Sequence, residues 1–335
     1  MIIIITIKDI AEAAGFSIST VSLVLSGKTE SERIPEKTRE KIVGVAQTLG
    51  YRANVAARRL RANQGSKLMV SVFMSLDARA YGMMRFLLGL QNAVEKSEQD
   101  IEFVIHSYKS GTLHAHMEAI SFTNCAIICN ASEEDLYFLN TTHIAVPIVL
   151  FLRNSENHFS VNVNHSHIGE MAADIFARRG HKHAFILDST KYFLGMNYWT
   201  ARFSRVAKKH GLQVTHAHTS DSTNGGYRAG LELCNMQPLP DCMFAVSNAI
   251  AMGALRACNE NGIKLPEQLE LISIGIDIAD FEEYTNVSIS TIFVPVEKMA
   301  QECLDLLLKQ INGETVKPYN LEIPVIYNAR ESCGE

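Results

Sequence analysis

No stretch of this chain is apolar for long enough to span a bilayer, which excludes a helical membrane protein. The opening MIIIIT is apolar for only five residues before Thr6. It lacks a basic n-region and a cleavage site, so it reads as a frayed leader and not as a secretory signal. Cysteines number seven, an odd count, and are scattered. That excludes a disulfide framework and points to a reducing cytoplasm. Cys125 and Cys129 read as buried structural thiols, and Cys333 in the tail as an exposed one. There is no glycine-rich phosphate loop, since NGG at 224–226 reads as a turn opening a helix. No Ser/His/Asp order has the specificity of a catalytic triad. Kinase and hydrolase classes therefore lack their machinery, and the chain reads as a non-enzyme. Four His-x-His pairs (His114/His116, His165/His167, His181/His183, His216/His218) could chelate on a strand. No Cys or carboxylate completes a site beside them, so neither a metal nor a cofactor is expected.

An excess of basic charge is also missing. The formal net charge is -5, from 31 Lys and Arg against 36 Asp and Glu, which argues against a general nucleic-acid binder. The distribution is uneven, however. Residues 1–66 carry ten Lys and Arg against six Asp and Glu, and the remainder carries 21 against 30. A basic end on an acidic body suggests that the end meets a polyanion. With 47% hydrophobic and 20% charged residues over 335 positions, the chain is globular and long enough for two or three domains.

What is present begins at the N-terminus. Thr6 followed by Asp9 approximates a capping box. Ile7, Ile10, Ala11 and Ala14 then share one helix face, and Gly15 ends the helix. Ser17 caps a second helix with Val21, Val24 and Leu25 inward and Ile18, Ser19, Ser22 and Leu23 outward. A third helix opens at Pro35 and buries Ile42, Val45, Ala46 and Leu49. Two short helices joined by a tight glycine turn and braced by a third describe a helix-turn-helix. The uncharged stretch GFSISTVSLVL is then the helix that enters the major groove. Its early hydroxyls (Ser17, Ser19, Thr20), together with Thr6, are placed to meet phosphates.

These residues carry a resemblance. TIKDIAEAAGFSISTVSLVLSGK, TREKI…LGY and AARRLR resemble the signature of the LacI/GalR family of bacterial transcription regulators, and the likeness runs over nearly the whole chain. It implies a helix-turn-helix domain at 1–50 and a hinge at 51–66. In RANVAARRLRANQGSK five basic residues stand with no acid. The family implies that two such hinge helices, one per subunit, enter the minor groove on DNA. Leu60 matches the leucine that wedges into the central base step, with Arg52, Asn54 and Arg58 as accompanying DNA contacts. Ala53 stands where the family usually has proline. Leu23 stands where many relatives have an arginine that reads guanine. Leucine can touch only a thymine methyl there, which implies a different operator.

From Leu68 onward, strand-like runs (LMVSVFM, IEFVIH, CAIIC, PIVLF, FSVNV, HAFILD, QVTHAH, CMFAVS, ELISIG) alternate with helical patterns. The helices read as 83–96, 168–179, 199–210, 226–234 and 250–261. That pattern predicts an α/β fold of parallel sheets flanked by helices on both faces. The resemblance implies a two-lobe, periplasmic-binding-protein-like core at 67–335. Its N-lobe is 67–161 plus 295–323, its C-lobe 162–294 plus 324–335, and an effector sits in the crevice between them. The implied effector-binding residues are Asp77, Arg79, Tyr81, Arg153, Asn164, His165, Trp199, Asn248 and Asp277. Trp199 and Asn248 replace an arginine and an aspartate that commonly grip sugars. Two readings stay open: a different effector, flatter or less hydroxylated, or a vestigial pocket that Trp199 fills.

The leading reading is thus a cytoplasmic repressor of a carbohydrate or other small-metabolite operon. Its partners are a near-palindromic double-stranded operator, a small-molecule effector such as a sugar or sugar derivative, and a second copy of itself; no membrane is involved. No heptad tail follows the core, which favours a homodimer over a tetramer. The competing class is a two-lobe small-molecule binding protein with no role on DNA.

Overall fold

The computed structural model describes residues 7–26, 34–48, 67–75, 80–116, 119–120, 123–190, 196–276, 281–314 and 317–334. The chain divides into two compact units, 1–66 and 67–335.

Among the described residues, the first unit has three helices: α1 (Ile7–Ala14), α2 (Ile18–Ser26) and α3 (Glu36–Thr48). Gly15 takes φ +74°, a left-handed conformation that lets the chain turn sharply out of α1. Ile10, Ala11, Ala14, Val21, Val24, Ile42 and Ala46 close into one small core. Phe16, Leu25, Ile34 and Val45 pack around it.

The second unit contains two six-stranded sheets. The first runs in the order β11-β5-β4-β3-β1-β2. Its strands are β1 (Leu68–Ser75), β2 (Ile101–Tyr108), β3 (Cys125–Cys129), β4 (Ile148–Phe151), β5 (Phe159–Asn162) and β11 (Asn320–Glu322), and all its pairings are parallel. The second runs β12-β10-β9-β8-β6-β7. Its strands are β6 (His183–Ser189), β7 (Gln213–Thr219), β8 (Cys242–Ala245), β9 (Glu270–Gly275), β10 (Ser290–Phe293) and β12 (Ile326–Asn328). Here only β12 is antiparallel, against β10. The central strands are buried along their whole length, as parallel strands covered on both faces must be. The chain passes between the sheets three times: after β5, after β10 and after β11.

The helices that matter below are α4 (Ala80–Lys96), α6 (His165–Arg178), α7 (Met196–Lys209), α8 (Thr223–Cys234), α9 (Asn248–Glu260) and α10 (Val296–Ile311); α5 is Glu133–Thr141. Five of them, α4 and α6 to α9, begin two or three residues earlier than apolar periodicity predicts. The first turns are polar, and side-chain caps fix them: Asn164 for α6, Ser222 for α8 and Ser247 for α9. Helices α5 and α10 and strands β10, β11 and β12 have no counterpart in the sequence reading.

The tail is another correction. Cys333 is buried and not exposed. Strand β12 lays a short 3-10 turn, Glu331–Cys333, against β9. Ser332 Oγ donates to the Leu271 carbonyl at 2.6 Å, and the Cys333 thiol donates to Glu270 at 3.4 Å.

Candidate nucleic-acid interface and interlobe cleft

In the first unit, α2 carries no charged residue. Ser17 caps it: Oγ accepts from the Thr20 N–H at 3.1 Å and lies 2.8 Å from Thr20 Oγ1. Between these two hydroxyls only one proton is used, which leaves one O–H at the helix N-terminus. Val21 and Val24 point into the core, while Ile18 is 53% exposed. Ser19 is exposed, and Thr20, Ser22 and Leu23 are half-buried. A slim, neutral helix therefore presents its N-terminal turn outward. Lys41 lies 5.4 Å over the Phe16 ring, on the side that anchors the turn. Thr6, Arg52, Asn54, Arg58 and Leu60 lie outside the described residues.

In the second unit, the residues expected to line the cleft follow the carboxyl ends of neighbouring strands. β4 and β5 pair with Phe151 opposite Val161, so Arg153 beyond one strand and His165 beyond the other emerge side by side. Asn162 Nδ2 ties the two exits together by donating to Asn154 Oδ1 at 2.7 Å. Asn164 is exposed, and its Oδ1 is taken by the His167 N–H at 3.1 Å. Gly169 lets α7 come close: a Cβ there would run into the Trp199 carbonyl and the Phe203 amide. This seating brings the Trp199 indole N–H to His165 Nδ1 at 3.1 Å.

Trp199 is only 3% exposed. Burial, followed by the Arg153 charge, pushes the His165 imidazole down to about 4, so it is neutral at physiological pH. Arg153 Nε donates to the Ala131 carbonyl. Its Nη2 is buried and has no hydrogen-bond partner. Burial also lowers the Arg153 pKa, against the opposing charges of Glu133, Tyr198 and Tyr108.

Two polar groups here had no signal in apolar periodicity. Tyr108 OH donates to Asp135 Oδ2 at 3.4 Å. Asp135 also accepts from the Gly111, Leu113 and Ser132 amides. Burial favours its neutral form, but those backbone bonds outweigh it and hold its carboxyl below the ordinary value. The motif Ser132-x-x-Asp135 is itself a readable cap.

Asn248 sits elsewhere. It is 4% exposed, and both ends of its amide are engaged. Nδ2 donates to Glu282 at 3.1 Å and Oδ1 accepts from Ser273 at 3.2 Å. Burial holds the Glu282 carboxyl above its ordinary value. The fold therefore brings Arg153, Asn164, His165 and Trp199 together, and it commits Asn248 to an internal network. Asp77, Arg79 and Asp277 lie outside the described residues, as does the side chain of Tyr81.

The two sheets also meet through α4. Arg85, nearly buried, donates to Glu297 on α10 at 3.2 Å and to the Ile276 carbonyl just past β9 at 3.4 Å. Its guanidinium lies 5.0 Å from the ring centroid of Phe293, the last residue of β10. Among the described residues no group of three His, Cys, Asp or Glu could hold a metal ion. No helix among them is long and apolar enough to cross a membrane.

Comparison with known proteins agrees with both units. The family model "Bacterial regulatory proteins, lacI family" matches residues 6–54, and "Periplasmic binding protein-like domain" matches residues 173–333. The HTH-type transcriptional repressor MelR of Bacillus subtilis (strain 168) is 23% identical, with 98% of each chain covered. A LacI family transcription regulator from Clostridium acetobutylicum superposes with TM-score 0.75 at 28% identity, covering 79% of this chain and all of that one. The lac repressor dimer bound to operator and the anti-inducer ONPF gives TM-score 0.70 at 19% identity, covering 99% of each chain. A slim helix-turn-helix unit and a two-sheet body, each matched by its own model and matched together end to end by whole relatives, make this chain a member of the LacI family of bacterial transcription regulators, which are not enzymes.

Proposed function

We propose that the protein is a cytoplasmic repressor of an operon for a carbohydrate or another small metabolite. It acts as a homodimer on a near-palindromic double-stranded operator and is controlled by a small molecule between its lobes. Residues 1–50 read the major groove and 51–66 form the hinge. The core divides into an N-lobe (67–161, 295–323) and a C-lobe (162–294, 324–335). The observation that carries the DNA half is the outward N-terminal turn of α2: no charge, a spare hydroxyl at the Ser17/Thr20 pair, and an exposed Ile18. The dimer is supported by Met84 and Leu88, 53% and 47% exposed one turn apart on α4. The lac repressor relative is a dimer on its operator, and two-fold symmetry in protein demands near-palindromy in DNA.

The test is selection from a randomised duplex pool. Enrichment of one near-palindromic site is the expected result, and Leu60→Ala should weaken binding to that site far more than to random DNA. No enrichment would remove the regulator reading. Equal losses on both DNAs would remove the wedge role of Leu60.

A further inference from the structure

We propose that the cleft beside Arg153 takes an anionic, acceptor-only group, a carboxylate or a phosphate monoester, and not a neutral sugar. The inference rests on the effector-regulated reading above and concerns only the chemistry of the ligand.

The argument is an account of donors and acceptors. An indole N–H can only donate, so His165 Nδ1, which receives it at 3.1 Å, must be unprotonated. A neutral imidazole with a bare Nδ1 carries its proton on Nε2. Trp199 therefore fixes the tautomer, and Nε2–H is a donor with no hydrogen-bond partner among the described residues. Arg153 supplies the second idle donor, its buried Nη2. The two residues stand on the exits of adjacent strands, within electrostatic reach of each other. Arg153 forms no ion pair among the described residues, and Glu133, the acid that acts on it most strongly, is exposed.

Among the described residues, the acceptors nearest this pair are already engaged. Asp135 takes three backbone amides, and Asn164 Oδ1 takes the His167 N–H. A sugar hydroxyl brings a proton that needs an acceptor, whereas a carboxylate or phosphate brings none. A half-buried cation with a buried, idle N–H and no ion pair among the described residues also favours a ligand that carries the counter-charge.

The test uses full-length protein, calorimetric titration and probes that differ in charge. These are glucose against glucose 6-phosphate, galactose against galacturonate, and inorganic phosphate alone. The expected result is at least tenfold tighter binding of a charged member than of its neutral partner. The uronate and phosphate arms identify which anion is preferred. Arg153→Gln should remove the difference, while Arg153→Lys, which keeps the charge without the fork, should retain part of it. Equal or tighter binding of the neutral sugars, or no binding of any probe, would overturn the proposal. Selection of an operator by the same preparation reports separately on the regulator reading. Retained DNA binding with charge-blind sugar binding sinks only the ligand class.

Discussion

Arg179 and Glu270 form a bidentate pair, with Nε 2.7 Å from Oε2 and Nη2 2.6 Å from Oε1. His181 Nε2 lies 2.7 Å from the same carboxylate, and the Cys333 thiol donates to it at 3.4 Å. One carboxylate thus ties the end of α6, the strand β9 and the tail together. Glu270→Gln keeps the shape and loses the charge. Because Arg179 is partly exposed and can be resolvated, we expect a loss of about 1–3 kcal/mol, read as a lower Tm by calorimetry. Burial raises the Glu270 pKa, but the bonds from Arg179 and His181 outweigh it and hold the carboxyl below its ordinary value. Its contribution is present above the unfolded carboxylate pKa and fades as pH falls through the lower folded value. The variant should therefore lose less stability than the parent on acidification below about pH 4.5.

His165 titrates with the same sign, in a higher pH window. Its folded value of about 4 lies below the ordinary 6.5, so the unfolded chain binds the extra proton between those two values. Stability rises with pH across that window and is lost as pH falls from 6.5 towards 4. His165→Asn cannot titrate and should flatten this part of the profile by up to about 3 kcal/mol. The single tryptophan reports the same event: Trp199 emission should shift on acidification with a midpoint near that value. A shift centred at pH 6.5 would show that burial does not govern the imidazole.

Helices α8 and α9 touch backbone to backbone. A Cβ on Gly253 would fall inside contact with the Thr223 carbonyl and the Tyr227 amide. Gly253→Ala should force the helices apart and cost about 1–3 kcal/mol or more. Gly44, inside α3, has nothing within 4 Å of such a Cβ. Gly44→Ala should therefore stabilise the first unit by about 0.5–1 kcal/mol through helix propensity. Denaturant melts of the two variants should move in opposite directions.

On DNA, Leu23→Arg should change which bases are preferred, because arginine can bond guanine at two atoms where leucine can only touch a thymine methyl. Unchanged selected sites would show that Leu23 does not face the bases. Ser17→Ala removes the cap on α2 and should cost the first unit about 1 kcal/mol.

Much of this architecture was legible in the residues. Val21, Val24 and Ile42 announce their core by spacing, and the apolar runs from Leu68 onward give the strands. The helix starts were not legible from apolar spacing, because Asn164, Ser222 and Ser247 act by hydrogen bonds. The burial of Cys333 depends on β12 pairing with β10 from far along the chain, which no local pattern encodes. In the cleft, Arg153, His165 and Trp199 were singled out from the sequence. The indole-to-imidazole bond between two of them was not, because it needs the close seating at Gly169. Asn248 reads as a ligand-facing amide in sequence, but Glu282 and Ser273, distant in sequence, claim it.

The three passages between the sheets leave from β5, β10 and β11, and β5 neighbours β11 while β10 neighbours β12. All the covalent stitching therefore gathers along one border of each half, like the spine of a book. Cutting any one strand of it leaves two more, so a single nick cannot release a half. The far borders, edged by β2 and β7, carry no such connection.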